Sequence, residues 1–191
     1  VYGLAMDADG KVLLAGDSDQ PGTGRDFALA RYNTDGTLDT SFDDDGLVVT
    51  DFDSTSDYAS HDPGRAVALA PSGAIVVAGS CYNPIDARAG DFALVRYKRD
   101  GALDTDFGGD GKVTSNFPGK SEGSSDLAFA AAIQADGKIV VAGWSDQNYA
   151  GTGYDFALIR YNPDGSLDAT FGDKGVVTTN FGFMPRGYPT E

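Results

Sequence analysis

Asn33, Asp35 and Asp39 in "NTDGTLD", and Asn162, Asp164 and Asp168 in "NPDGSLD", place oxygen donors at a spacing that suits a hard cation such as calcium. The intervening copy reads Lys98, Asp100 and Asp104 with Arg99 alongside, and cationic side chains there oppose a metal. No distal Glu is placed to bind bidentately, as an EF-hand requires. Asn-x-Asp-Gly is also an ordinary turn signature, and "DDDG" at Asp43 reads either way. Turn chemistry is the expectation and calcium the alternative; no other cofactor is expected.

Arg31, Arg96 and Arg160 each precede an aspartate, Asp39, Asp104 or Asp168, by eight residues. A planar guanidinium under cover needs several acceptors, and a carboxylate with carbonyls supplies them. Three such pairs can be a ring of ligand sites or the cement between repeated units; cement is the expectation. Catalytic candidates are few. His61 is the only histidine, so no paired-histidine metal site can form. Ser60, His61 and Asp62 name the members of a triad, but sequence neighbours do not make triad geometry. No glycine-rich phosphate loop leads from a strand into a helix.

The 191 residues carry a formal charge of −15, and all acidic residues except Glu122 and Glu191 are Asp. Asp favours turns and caps over helix interiors. This acidic protein is not expected to bind nucleic acid or an anionic bilayer. Cys81 is the only cysteine, which excludes an intrachain disulfide. It fills the slot of Ser18 and Ser145, so a small side chain tucked at a strand end is expected rather than a reactive thiol. No apolar run reaches membrane-spanning length, and the residues from Val1 onward do not read as a signal peptide, so any such signal is expected upstream of them. The chain begins at Val1 inside a repeat, and an excised fragment or processed product is expected.

The elements that position these residues recur. "DFALARYNTDGTLDTSFDDDG" from Asp26 returns as "DFALVRYKRDGALDTDFGGDG" from Asp91 and "DFALIRYNPDGSLDATFGDKG" from Asp155, 65 and 64 residues apart. Four short segments repeat in each unit, all β-branched, Ala-rich or aromatic and bounded by Gly and Asp, so each is predicted to be a strand. Asp9-Gly10, Ser72-Gly73 and Asp136-Gly137 predict tight hairpins between the first two. Val12, Leu13 and Leu14 leave no polar face, which requires sheets stacked on both sides. Ala5, Ala68 and Ala132 share a position that suits crowding near an axis. The predicted fold is all-β: a β-propeller of three four-stranded antiparallel blades, first segment innermost, with a solenoid as competitor. Blades are expected at 1–52, 53–117 and 118–181, with 182–191 a tail or linker.

"DGTLDTSF", "DGALDTDF" and "DGSLDATFGDKG", each after an Arg-Tyr strand, resemble the delta-60 repeat of bacterial β-propellers. The resemblance spans nearly the whole chain. It implies a secreted or cell-surface propeller, usually of more than three blades, and supplies no catalytic residues. Three blades leave raw edges and apolar end faces. The expected partner is therefore the chain itself, as a dimer completing a ring or an end-to-end assembly, unless the blades belong to a longer protein.

Propeller connectivity gathers the inter-blade linkers and the loops between second and third strands on one face. These are the long, variable segments, where recognition is expected. Tyr58, His61, Tyr82, Arg88, Trp144, Tyr149 and Tyr154 are the candidate ligand-binding residues; rings there can stack on sugars or anchor a protein. The expected function is a non-enzymatic extracellular module, a structural, self-associating or adhesive scaffold. The alternatives are a glycan-binding lectin-like propeller, with a glycan or another surface protein as partner, and a propeller hydrolase or lyase with a metal in the channel. The enzyme needs His, Glu or Asp converging on the axis, where the innermost strands offer Ala, Leu, Val and Ile.

Overall fold

The computed structural model describes residues 1–52, 60–82, 90–117, 125–146 and 154–180. Over these residues the chain is all-β, and each repeat forms one sheet whose strand order follows the chain. The first blade holds β1 (Gly3–Met6), β2 (Val12–Gln20), β3 (Gly24–Tyr32) and β4 (Leu47–Thr50). A two-residue β5 (Ser60–His61) lies parallel on its β3, pairing Gly24 with Ser60 and Arg25 with His61. The second blade holds β6 (Gly64–Leu69), β7 (Ile75–Tyr82), β8 (Gly90–Tyr97) and β9 (Lys112–Ser115). The third holds β10 (Asp126–Ile133), β11 (Ile139–Ser145), β12 (Asp155–Tyr161) and β13 (Val176–Thr179). Main-ladder pairings are antiparallel, and β1, β6 and β10 adjoin at the inner edge. The three sheets are blades of a β-propeller. Among the described residues no helix is long and apolar enough to cross a membrane.

The predicted hairpins are present. Asp7 Oδ1 accepts the backbone N–H of both Asp9 and Lys11 at 2.9 Å, and Gly10 takes φ 79°. Gly73 and Gly137 repeat that left-handed conformation, which other residues reach only under strain.

Two apolar seams hold the blades together. Leu13, Ala15, Phe27, Leu29 and Phe42 of the first blade pack on Ile75, Val77, Ala93, Val95 and Tyr97 of the second. Val76, Phe92, Leu94 and Phe107 pack in the same way on Ile139, Val141, Ile159 and Tyr161 of the third. The seams are tight where a phenylalanine ring meets a glycine. A Cβ added at Gly79 would lie 1.9 Å from the Pro63 carbonyl and 2.9 Å from Phe27; at Gly143 it would lie 1.9 Å from the Leu127 carbonyl and 2.8 Å from Phe92. No side chain fits there, so the glycine closing each "VAG" segment is a packing requirement.

Coverage on both faces holds for the middle blade only. Residues Ile75 to Ser80 are buried without interruption, whereas β2 and β11 alternate. In the first blade Leu4, Met6, Leu47 and Val49 stay exposed, and in the third Phe156 is 65 % exposed. The two open faces are unlike each other. Register with the middle blade shows that the first blade presents the face that Ile75, Val77 and Tyr97 present to it, and the third presents the Phe92 and Phe107 face.

Polar clasps obey the same rule. The Asp43 N–H donates to the Asp100 carbonyl at 2.8 Å, and the Gly108 N–H to that of Asp164 at 2.9 Å. Gly101 and Gly165 are buried beneath Phe42 and Phe107, while the matching Gly36 has nothing within 4 Å of an added Cβ. The Thr50 and Tyr97 hydroxyls bond at 2.6 Å across the first seam. Ser115 and Tyr161 hold these positions at the second, and burial raises both tyrosine pKa values.

Candidate functional site

The Arg–Asp pairs form inside each blade and reach across to the next. Nε of Arg31, Arg96 and Arg160 donates to Oδ2 of Asp39, Asp104 and Asp168 at 2.6, 2.7 and 2.7 Å. Nη1 of Arg31 donates to the Arg99 carbonyl, and that of Arg96 to the Pro163 carbonyl, each in the following blade. The guanidiniums cover Phe42, Phe107 and Phe171 at 4.4, 4.8 and 4.5 Å. Every acceptor and ring is structural, in agreement with cement.

Lys11 and Lys138 add a second cation to Asp39 and Asp168, at 2.7 and 2.8 Å. Those ammonium groups first, then the Ser41 and Thr170 hydroxyls, hold the two carboxyls well below the ordinary 3.8. A folded-state pKa below the unfolded one contributes stability that is complete above about pH 4 and lost as pH falls through the lower value. Melting temperature should therefore drop as pH goes from about 4 to 2, and Asp39→Asn should flatten the drop. Thermal melts across that range check it; an unchanged slope in the variant would refute the assignment.

The turn aspartates are used locally. Asp35 Oδ1 accepts the Thr37 N–H and hydroxyl at 3.0 and 2.7 Å, and Asp164 repeats this with Ser166. These bonds, hydroxyl first, lower both carboxyl pKa values. Asn33 turns its amide N–H to the Thr37 hydroxyl and the Leu38 carbonyl, so the side chain donates inside the turn.

Of the candidate recognition residues, Tyr58, Arg88 and Tyr149 lie outside the described residues. The others meet in two pairs. His61 and Tyr82 rings are 5.5 Å apart, beside the first seam. Desolvation, then the charge of Arg25, lowers the His61 pKa. Trp144 and Tyr154 rings are 4.0 Å apart on the third blade, with Phe129 at 6.3 Å from Trp144 and the Arg65 guanidinium 5.1 Å above Phe129. Cys81 is a poor nucleophile: burial first, then Asp62 and Asp91, push its thiol up to about 12.

Shallow clefts of about 240 and 220 Å³ open at the hairpin end of the two seams, lined by residues such as Leu13, Leu69 and Arg99, and Val76, Ile133 and Arg96. Both lie below the usual range for ligand pockets. Sequence reasoning missed one cluster. Asp26, Asp51 and Asp62 bring carboxylate oxygens within 4.8 Å of one another. They come from the start of β3, the end of β4 and the segment after β5, and their recurrence as Asp91, Asn116 and Asp126 was the available signal.

The repeated blades have a counterpart among known families. The family model described as "Domain of unknown function (DUF5122) beta-propeller" matches residues 8–42, 70–107 and 134–171, more than half the chain. This chain belongs to the DUF5122 β-propeller family. No curated protein matches it in sequence. Among solved structures, the Hadza microbial sialidase Hz136 aligns with a TM-score of 0.59 at 15 % identity, over 86 % of this chain and 35 % of that one. The DUF5122 chain thus spans about a third of the sialidase's length. A gluconolactonase from Xanthomonas campestris aligns at 0.42 and 17 % identity, over 94 % of this chain and 46 % of that one. A fucose lectin from Kordia zhangzhouensis aligns at 0.44 and 11 %, over 95 % and 99 %. At these identities the likeness to the sialidase concerns the fold.

Proposed function

We propose that this chain is a non-enzymatic, extracellular or cell-surface scaffold of the delta-60 type that assembles blade to blade with a second copy of itself. The observation that carries this reading is the complementarity of its open ends. The third blade offers Phe156, Phe171 and Arg160, matching residues that are already seated at the two internal seams. The first blade offers Gly36, Leu14, Leu47 and Tyr32, matching the residues that receive them. A contact joining the two unlike ends is head-to-tail; it closes a six-bladed ring of two copies or propagates as a filament.

Light scattering across concentrations tests this. A dimer or a ladder is expected at about 100 μM, and Leu47→Glu, which places a charge on the open face, should give a folded monomer. Wild-type protein that stays monomeric at that concentration would overturn the proposal.

A glycan-recognition role is the second reading, favoured by the exposed Tyr154 stacked beside Trp144. Binding on a glycan array that is lost in Trp144→Ala supports it. The apolar inner strands, such as "GLAM" and "DLAFAAAI", disfavour a hydrolase or lyase working in a central channel.

A further inference from the structure

Asp26 and Asp62 are 1 % and 0 % exposed, and Asp51 is half-buried. The fold forces them together. β5 pairs in parallel with the start of β3, so Asp62 arrives beside Asp26, and the β3–β4 ladder brings the end of β4 to the same place. Several contacts fix the cluster. The Thr23 hydroxyl donates to Asp26 Oδ2 at 2.6 Å, the Tyr82 N–H to Asp62 Oδ1 at 3.0 Å, and the Asp62 N–H to the Arg25 carbonyl at 2.6 Å. Asp26 Oδ1 is sealed from solvent, and among the described residues no donor bonds to it. A buried carboxylate oxygen in that state is costly unless a cation faces it.

Among the described residues, Arg25, Arg65 and Lys112 near the cluster bond to other groups. Arg25 is held by Asp19 at 3.1 Å and Asp17 at 3.6 Å, and Arg65 by the Ser80 hydroxyl at 3.2 Å. Lys112 reaches the backbone carbonyl of Asp51 at 3.1 Å. Burial first, and the charge of Asp51 among the lesser causes, raises the Asp26 pKa.

We propose that Asp26, Asp51 and Asp62 bind a calcium ion that ties β3 and β4 of the first blade to the start of the second. Calcium–oxygen distances of about 2.3–2.6 Å let two ligands of one ion lie up to about 5 Å apart, which accommodates the observed 4.8 Å limit. An all-carboxylate set selects a hard cation over zinc or copper, and magnesium demands a tighter octahedron. The second seam carries Asp91, Asn116 and Asp126 in the corresponding positions, with one carboxylate replaced by an amide. That site is the weaker of the two, because ligand charge sets affinity.

The test uses the full chain, stripped with a chelator and titrated with calcium chloride by calorimetry, with melts in calcium, magnesium or EGTA. One site with a dissociation constant on the order of 10⁻⁴ M is expected. A melting shift of roughly 3–6 °C should appear at ten times that concentration, in calcium but not in magnesium. Asp51→Asn should weaken binding about tenfold or more. Asn116→Asp, a gain of ligand independent of any folding defect, should raise the stoichiometry to two. An absence of heat and shift up to about 10 mM calcium overturns the site. So does an equal response to magnesium, which would mean general screening of the acidic chain, or an undiminished response in Asp51→Asn.

Discussion

Phe92→Ala should unfold this propeller well below the wild-type temperature, whereas Phe156→Ala, at the same position one repeat later, should scarcely shift it. Phe92 is 0 % exposed, packs edge-on against Phe117 at 5.1 Å, and fills the space over Gly143. Truncation leaves a cavity between two rigid sheets that cannot collapse into it. The expected loss is about 3–5 kcal/mol. Phe156 has the same strand register, opposite Thr179 and Trp144, but is 65 % exposed, with no fourth sheet over it among the described residues. Its truncation should cost about 1 kcal/mol or less in dilute monomer. At concentrations where ends meet, the same change should weaken association. Chemical denaturation of both variants, repeated at low and high protein concentration, separates the two effects. Equal losses in dilute solution would mean that the third blade's outer face is covered in some other way.

That contrast also shows what the repeats made legible. Periodicity, the Asp-Gly and Ser-Gly hairpins and the strings such as "KVLLAG" specify strands and their order, because those are local properties written identically three times. Coverage of a face is not local. Leu14, Val77 and Val141 read alike, yet Val77 and Val141 lie inside a seam and Leu14 does not, since only the position of the blade in the stack decides. The Arg–Asp pairs were readable because both partners sit in one unit at a fixed spacing. The Asp26, Asp51 and Asp62 cluster was hidden for the opposite reason: its members straddle two blades and are lost among many other aspartates. Parallel pairing of Ser60 and His61 on β3 follows from the path of the crossing segment, which no residue pattern announces. Of the recognition residues, Trp144 pairs with Phe156 in the β11–β12 ladder and Tyr154 stands just before β12, so the two rings meet at the mouth of that hairpin; variability alone had marked them.

The seam arginines should divide in the same way as the phenylalanines, with Arg96→Ala costing far more than Arg160→Ala. Arg96 is the one cation on Asp104 among the described residues, because Ala74 stands where Lys11 and Lys138 assist Asp39 and Asp168. It also donates to the Pro163 carbonyl in the third blade and covers Phe107, so one side chain links two blades. Removing it strands a carboxylate that is only 15 % exposed and uncovers the ring. The expected loss is about 2–4 kcal/mol, or roughly 5–10 °C in melting temperature for a chain of this size. Arg96→Lys should recover only part of it, since an ammonium cannot present the fork that reaches carboxylate and carbonyl together. Arg160 keeps Asp168 and Phe171 but has no following blade among the described residues, and Lys138 remains on Asp168 when it is removed. Its loss should be about 1 kcal/mol in dilute monomer, rising toward that of Arg96 as concentration brings a second copy's Thr34 carbonyl to the position of Pro163. A concentration-independent difference between the two variants would break the link between the seam and assembly, while equal losses at every concentration would remove the seam's claim to join blades at all.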